Sequence, residues 1–214
     1  MRETTTMSIA AKAFKTVLIA ALAAFSAMPA AALDLTNVAF VRVVSGNTSI
    51  PVGHAEFCKA RPAECQANAD PLLAVTLDED RWNQLLDINA HVNGTVVPVS
   101  DSDLYGVEEF WTYPNGYGDC EDFVLAKRRA LIEAGWPAST LLMAVVREAN
   151  GDGHAVLLVR TDRGDLVLDN QDGLVRIWNE TPYQFVKRQD QAHAGRWVDM
   201  IDDRAITVAA TASH

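Results

Sequence analysis

The sequence predicts an α+β domain in which one long helix packs against an antiparallel sheet. Residues 119–134 have the signals of a helix: Asp119 as an N-cap, an apolar stripe, and Gly135 followed by Pro137 as the stop. Three apolar segments follow, with turn-forming residues between them, as expected of strands. These segments span residues 140–148, 154–161 and 165–170. A helix followed by a run of strands is the element order of an α+β fold.

Shorter elements are predicted before this helix. Residues 38–44, "VAFVRVV", indicate a strand at an edge of the sheet, and residues 52–68 indicate a short helix and a turn. Residues 78–93 indicate a helix because one set of side chains recurs there at helical spacing. This set consists of Trp82, Leu85, Leu86, Asn89 and Val92. Residues 95–117 are rich in proline and glycine and are predicted to be mostly loop.

The long helix is predicted to have one buried and one exposed face. The buried stripe consists of Phe123, Ala126, Ala130, Leu131 and Ala134. The exposed face consists of the basic residues Lys127, Arg128 and Arg129. After the three strands, we expect a further strand near residues 174–178 and a partly aromatic segment over residues 181–201. The C-terminal segment 205–214 indicates an unpacked tail.

Residues 1–32 have the pattern of a secretory signal peptide. Arg2, Lys12 and Lys15 supply positive charge around the start of the apolar run "TVLIAALAAFSAM", and "PAAALD" offers a cleavage site after Ala32. The alternative is a membrane anchor that is not cleaved. Cleavage would leave residues 33–214 as a single domain, located in the periplasm or secreted.

The charge of the chain excludes several classes of partner. The full sequence carries a net charge of −10, and removal of residues 1–32, with three basic residues and one acidic, makes this −12. Such a chain repels nucleic acids and anionic membranes, and no lysine or arginine cluster offsets this. No later segment has the pattern of a membrane span, so we expect no stable membrane insertion after cleavage. We also expect no organic cofactor.

Three cysteines in an exported protein indicate one disulfide and one free thiol. Cys58 and Cys65, in "FCKARPAEC", are near enough in sequence to close a small loop, whereas Cys120 is far away. We therefore expect a Cys58–Cys65 disulfide and a free Cys120. The alternative, in which all three cysteines stay reduced, applies if the chain is not exported.

Cys120 lies among three carboxylates in "GDCEDF": Asp119, Glu121 and Asp122. Its position in the first turn of the long helix favours the thiolate by roughly 0.3–2 kcal/mol, because unpaired N–H groups point toward it. The adjacent negative charges raise the pKa of a thiol and oppose this effect. A nucleophilic Cys120 therefore needs a further positive group.

His154 could supply that charge through a thiolate–imidazolium pair, and Asp169 could orient the imidazole to complete a triad. Taken singly, each residue has a plainer interpretation: a buried cysteine, a structural histidine and a turn aspartate. An ideal two-residue turn at Arg163–Gly164 would also separate His154 and Asp169 by four positions, or about 13 Å, along the strands. In that register a triad requires a longer or bulged connection, or a strong twist.

The segment "GDCEDFVLAKRRALIEAGWPASTLLMAVV", followed by "HAVLLVRTDRGDLVLDN", resembles the papain-like catalytic core of the transglutaminase-like proteins. It is most similar to the LapG-like group of bacterial transglutaminase-like cysteine proteinases. "FCKARPAEC", "NETPYQFVKRQ" and "RWV" are similar to patterns of this group too. The resemblance covers most of residues 38–199.

The resemblance implies that Cys120 is the nucleophile, His154 the base and Asp169 the orienting group of a cysteine peptidase. Such an enzyme would hydrolyse amide bonds of protein or peptide substrates, including cell-surface proteins, through a thioester. Two alternatives stay open: acyl transfer to amines, and a non-catalytic binding module that retains the fold. Trp111 and Tyr113 could line the site or an oxyanion pocket, or they could pack in the core.

The resemblance also implies a calcium ion beside the nucleophile. The candidate ligands are carboxylates, which Ca²⁺ prefers, and a bound cation would offset the charge around Cys120. They are Asp119, Glu121 and Asp122, with Asp101 or Asp103 from the preceding loop. The alternative is that Asp119 caps the helix, Asp122 completes a capping box and Glu121 is solvated.

Overall fold

The computed structural model describes residues 38–204. The predicted signal peptide of residues 1–32 and the predicted tail of residues 205–214 lie outside this range. Among residues 38–204, no helix combines the length and the apolar character that crossing a bilayer requires.

The described residues form four α-helices and nine strands, together with three short 3₁₀-helices. The helices are α1 (Val52–Ala60), α2 (Glu79–Thr95), α3 (Asp101–Tyr105) and α4 (Cys120–Glu133). The strands are β1 (Arg42–Val43), β2 (Val97–Pro98), β3 (Tyr117–Gly118), β4 (Leu141–Arg147), β5 (Gly153–Thr161), β6 (Gly164–Leu168), β7 (Arg176–Ile177), β8 (Gln184–Gln189) and β9 (Trp197–Ile201).

Seven of the strands form one antiparallel sheet in the order β1-β9-β8-β4-β5-β6-β7. The sheet curls, because Ala39, just before the edge strand β1, makes a bridge with Gly164 at the start of β6. Gly164 has φ +109°, and a Cβ there would lie 2.5 Å from the Ala39 carbonyl oxygen, so this closure favours glycine. The predicted α+β class, in which the long helix packs on an antiparallel sheet, is confirmed.

Helix α4 packs against β5 of the sheet on one side and against α2 on another. The prediction that Lys127 and Arg128 face solvent is therefore wrong: both are buried, and Arg128 Nε donates to the Leu141 carbonyl at 3.0 Å. Ala134 is exposed rather than buried. A helix covered from several sides has little free surface, and the amphipathic pattern gave no sign of the second layer.

The region between α2 and α4 is more ordered than a loop. Strand β2 pairs in parallel with β3, in the register Val97↔Tyr117 and Pro98↔Gly118. Helix α3 follows β2 directly, and Ser100 caps it by accepting from the Asp103 N–H. Because β3 leads straight into α4, this small parallel pair places the start of α3 beside the start of α4.

The predicted disulfide joins Cys58 in α1 to Cys65, with the Cα atoms 5.6 Å apart, and Cys120 is free. Its two sulfur atoms lie 3.6 and 3.9 Å from Nε2 of the buried His54. Trp197 Nε1 in β9 donates to His54 Nδ1 at 3.0 Å. This hydrogen bond joins α1 to β9, and the disulfide joins α1 to the segment that follows it.

The hairpin of β5 and β6 differs from the prediction by one turn position. Thr161 pairs with Gly164, so the two turn residues are Asp162 and Arg163 rather than Arg163 and Gly164. The pairing Leu157↔Leu168 then leaves Asp169 only two positions out of line with His154, about 7 Å along the strands. Diagonal neighbours at that offset are within reach of each other's side chains. The larger separation expected from the sequence is therefore wrong, and no bulge is required.

Candidate active site

Cys120 is the first residue of α4 and opens onto a cleft of about 510 Å³. His154, near the start of β5, lines the same cleft, so the sheet and the helix each contribute one candidate group. The walls carry both apolar and charged side chains. They include Val52, Glu109, Trp111, Val145, Ala155 and Lys187.

His154 and Asp169 form a buried pair behind this cleft. His154 Nε2 lies 2.9 Å from Asp169 Oδ1, and each side chain is only 2% exposed. Gln171 N–H donates to the same oxygen at 3.0 Å, and the Tyr183 hydroxyl donates to Asp169 Oδ2. Burial raises the pKa of Asp169, but the hydrogen bonds from His154, Tyr183 and Gln171 outweigh it and hold that pKa below its usual value.

The contact between Nε2 and Asp169 determines which imidazole nitrogen of His154 can act as a base. When Nε2–H donates to the ionised Asp169, Nδ1 of the neutral ring carries the lone pair. The Gln171 side-chain amide lies 3.5 Å from Nδ1 and also donates to Glu148 Oε1 at 2.7 Å. Nδ1 of His154 is thus the atom that can accept a proton.

The thiol of Cys120 is held by Glu121 and not by His154. Its Sγ–H donates to Glu121 Oε2 at 3.1 Å, and within residues 38–204 no hydrogen bond joins Cys120 to His154. Burial, followed by the charge and hydrogen bond of Glu121, raises the pKa of the thiol far above its usual range, while the Ala155 N–H opposes this shift. In the arrangement described, Cys120 is therefore protonated.

An acidic cluster surrounds the start of α4. Carboxylate oxygens of Asp101, Asp119 and Glu121 lie within 4.8 Å of one another. Asp119 Oδ1 and Asp101 Oδ1 are buried and have no hydrogen-bond partner among the described residues, and Asp122 Oδ2 beside them is in the same condition. Buried oxygens without partners are costly, and a cation is a group that would satisfy them.

The interpretation of these acids as a helix cap is wrong. Asp119 is the N-cap residue, but its side chain makes no capping bond; Oδ2 instead accepts from the Asp101 N–H at 3.1 Å. Asp122 Oδ1 accepts from the Thr112 N–H at 2.8 Å, so no capping box forms. Glu121 is buried rather than solvated. Asp119 and Asp122 thus accept from backbone N–H groups of residues that precede the helix.

Burial and neighbouring charges raise the pKa values of carboxyl groups in and beside the cluster. Burial first, and then the charge and hydrogen bond of Asp119, raise the pKa of Glu121 to about 9. Burial, reinforced by Asp119 and Asp101 and opposed by the Thr112 N–H, raises the pKa of Asp122 to about 7. A set of hard oxygen donors in this state fits a calcium ion.

Not every candidate ligand joins this set. Asp103 is exposed, and its carboxylate accepts from the Ser100 hydroxyl at 2.9 Å in the first turn of α3. The cluster thus contains Asp101, Asp119 and Glu121, with Asp122 alongside.

Of the two aromatic candidates, Trp111 lines the cleft and Tyr113 does not. Trp111 is buried and lines the cleft, with its Nε1 donating to Glu109 Oε2 at 2.9 Å. Tyr113 lies outside the cleft: its hydroxyl donates to Glu64, and its ring contacts the Arg129 guanidinium at 4.7 Å. Sequence reasoning gave no role to Tyr183 or Gln171, because an aromatic residue before a strand and a glutamine in a turn have no distinctive pattern.

A sequence model of the bacterial transglutaminase-like cysteine proteinases, the peptidase C93 family, matches residues 44–205. The chain belongs to this family. It is therefore a member of a cysteine proteinase family.

Solved structures of LapG from Legionella pneumophila are similar to this proteinase family member. The calcium-bound form is 23% identical over 51% of this chain and 65% of LapG, with a TM-score of 0.46. A second LapG structure is 24% identical over 51% of this chain and 63% of LapG, with a TM-score of 0.45. The EGTA-treated form is 21% identical over 58% and 69%, with a TM-score of 0.47. The chain thus spans less than two thirds of the first two LapG chains, and no curated protein matches it.

Proposed function

We propose that this proteinase is an exported cysteine peptidase that hydrolyses peptide amide bonds with Cys120, His154 and Asp169. The observation that carries the proposal is the buried His154–Asp169 pair, whose imidazole lines the same cleft as the thiol at the start of α4. A nucleophile, a base and an orienting group on three different elements match the requirements of acyl transfer.

The proposed reaction has two halves. His154 Nδ1 accepts the thiol proton, and Cys120 Sγ attacks the carbonyl carbon of the substrate amide. The proton then passes from His154 to the amide nitrogen, the C–N bond breaks, and the amine leaves a thioester on Cys120. A water molecule, deprotonated by His154, attacks the thioester and releases the acid and the thiol. Backbone N–H groups at the start of α4, including that of Cys120, are the proposed oxyanion donors.

Calcium is the proposed cofactor, held by Asp101, Asp119 and Glu121. The support is the buried carboxylate oxygens that have no other partner in the described residues. The ion would supply positive charge beside the thiol and offset the carboxylates that now favour its protonated form. Asp122 is the adjacent candidate for a fourth ligand.

Export is proposed on two observations. Residues 1–32 have the pattern of a signal peptide, and the Cys58–Cys65 disulfide is a feature of oxidising compartments. We propose that residues 1–32 are removed, that residues 33–214 act in the periplasm or outside the cell, and that the substrate is a protein such as one on the cell surface.

The test compares new protein N-termini in cells that carry the wild-type protein or Cys120→Ala. The proposal expects cleavage products that depend on Cys120, and a matched Cys120→Ser variant should lose them too. A labelled amine added with substrate separates hydrolysis from acyl transfer: amine incorporation would reassign the reaction to transamidation. Unchanged N-termini together with unchanged activity would overturn the proposal.

One observation favours a second candidate, a binding module without catalysis. The Cys120 thiol lies within hydrogen-bonding distance of Glu121, and burial together with the Glu121 carboxylate raises the pKa of the thiol, which favours its protonated form. A module of this kind would keep a thiol pKa near 8.5 or above with calcium and with chelator alike. Alkylation of Cys120 by iodoacetamide that speeds up when calcium is added would instead support the enzyme.

A further inference from the structure

Tyr183 lies directly before β8 and is buried beside the His154–Asp169 pair. Its hydroxyl donates to Asp169 Oδ2, and its ring centroid is 5.3 Å from that of His154. Tyr183 does not line the cleft of Cys120; it lines a separate cavity of about 220 Å³ on the other side of Asp169. It is therefore placed to act on Asp169 but not to touch substrate in the cleft.

The hydrogen bonds of Asp169 divide between its two oxygens. Oδ1 accepts from His154 and from the Gln171 N–H, whereas the bond to Oδ2 comes from Tyr183. The backbone is held separately, because Asn93 in α2 donates to the Asp169 carbonyl at 2.8 Å. Loss of the Tyr183 hydroxyl would leave a buried carboxylate oxygen without this donor and remove a restraint on rotation of the carboxylate.

We propose that Tyr183 is a positioning residue that fixes the Asp169 carboxylate and, through it, the orientation and tautomer of His154. This role rests on the proposed function for its effect on catalysis, but its effect on the imidazole does not depend on any substrate. Burial and the carboxylate of Asp169 raise the pKa of Tyr183 above its usual value, so the hydroxyl remains a donor.

Several other groups near Asp169 also influence the charge of its carboxylate or of its partner Tyr183. His154 reaches it from β5, and the fully buried Lys127 of α4 adds a charge interaction. Burial lowers the pKa of Lys127 to about 7, and Asp169 opposes this shift. Glu148 and Asp172 act on Tyr183 from the adjoining turns. Of these groups, Tyr183 and His154 donate directly to the Asp169 carboxylate.

The expected effect of Tyr183→Phe is a fall in kcat of about 10-fold with little change in KM, since one hydrogen bond to a buried charge is lost far from substrate. The pKa of Asp169 should rise without this donor, which moves the acid limb of kcat/KM to higher pH. Tyr113→Phe is the matched control, because it removes a tyrosine hydroxyl that donates to Glu64 away from the cleft.

The experiment measures peptidase kinetics against pH and ¹⁵N imidazole NMR spectra of His154 in the calcium-loaded protein, for wild type, Tyr183→Phe and Tyr113→Phe. Support would be a changed His154 tautomer signal and a shifted acid limb in Tyr183→Phe only, in a protein whose circular dichroism spectrum shows that it is folded. Unchanged signals and profiles in a folded Tyr183→Phe protein would overturn the role. Should the protein have no peptidase activity at all, the NMR signature still tests Tyr183 and shows that the failure lies in the proposed function. An Asp169→Asn background supplies a further check, since Tyr183→Phe should then have no additional effect.

Discussion

Replacing Asp101 by asparagine should stabilise the protein in a calcium chelator and remove most of its stabilisation by calcium. Ligand oxygens of Asp101, Asp119 and Glu121 lie within 4.8 Å of one another. With an effective dielectric constant of about 20, two like charges at that distance repel by about 3.5 kcal/mol. Burial raises the pKa of Asp101, and the charges of Asp119 and Glu109 add to that shift, so the Asp101 carboxylate is repelled by its neighbours.

Asparagine removes this repulsion and keeps an oxygen that can accept from the Phe110 N–H, as Asp101 Oδ2 does. We expect Asp101→Asn to gain between about 1 and 3 kcal/mol in chelator, which raises Tm by about 2–12 °C in a domain of this size. The wild-type protein should gain about 2.7 kcal/mol in calcium at 100 times the Kd, whereas Asp101→Asn should gain little because one ligand charge is lost.

The assay is thermal unfolding in EGTA and in CaCl₂, with MgCl₂ as the ion control. Asp103→Asn is the matched variant, because Asp103 is exposed two positions later in the same short helix and lies outside the cluster. It should respond to calcium as the wild type does. The reasoning is refuted if Asp101→Asn is destabilised in EGTA or if calcium stabilises it as strongly as the wild type.

Three further predictions concern the base, a buried histidine and the disulfide. Asp169→Asn should lower kcat by about 10³–10⁴-fold without unfolding the protein, because an amide beside Nε2 reverses the His154 tautomer. Steady-state kinetics measure this, and a loss below 10-fold would contradict it. Burial, with a contribution from Arg128, lowers the pKa of His54 to about 4 in the folded state. The unfolded chain therefore binds the proton more tightly, so the wild type should lose about 3 kcal/mol of stability as pH falls from 6.5 to 4. In urea unfolding, the free energy of unfolding of His54→Gln should lack this part of the pH dependence. Removing the Cys58–Cys65 disulfide, whose cysteines are seven positions apart, with a double serine variant should cost about 2 kcal/mol in urea unfolding, and an unchanged midpoint would count against its structural role.

Much of the fold follows from local patterns in the sequence. The α4 helix, the hairpin strands and the disulfide all follow from periodicity, turn residues and cysteine spacing. The burial of Lys127 does not, because it depends on the elements that pack around α4, and no local pattern specifies them. Long side chains can also cover apolar surface, so a basic residue is a weak indicator of exposure.

The site shows the same division between local and tertiary information. Cys120, His154 and Asp169 could be selected from their element boundaries, but their spacing depended on a turn placed one position too far along the chain. Moving a two-residue turn by one position shifts every pair of facing residues in the hairpin by two. That shift decides whether His154 and Asp169 can touch. The role of these residues as a triad stays a prediction.

The acidic residues around the thiol could be selected from the sequence, but the sequence did not show which of them form the cluster and which face solvent. Asp101 joins Asp119 and Glu121 because the β2–β3 pair brings α3 to the start of α4. Asp103 is equally acidic and only two positions away, yet it faces solvent. That choice depends on the rotation of the short helix α3, which its composition does not determine.

Alkylation of Cys120 as a function of pH, measured in calcium for the wild type and for His154→Gln, tests most directly whether these two side chains work together. We predict that iodoacetamide reacts quickly with the wild type below neutral pH, and that the substitution moves the half-maximal rate to the higher pH of an ordinary thiol. Identical rate profiles for the two folded proteins would contradict the proposed pairing of sulfur and imidazole.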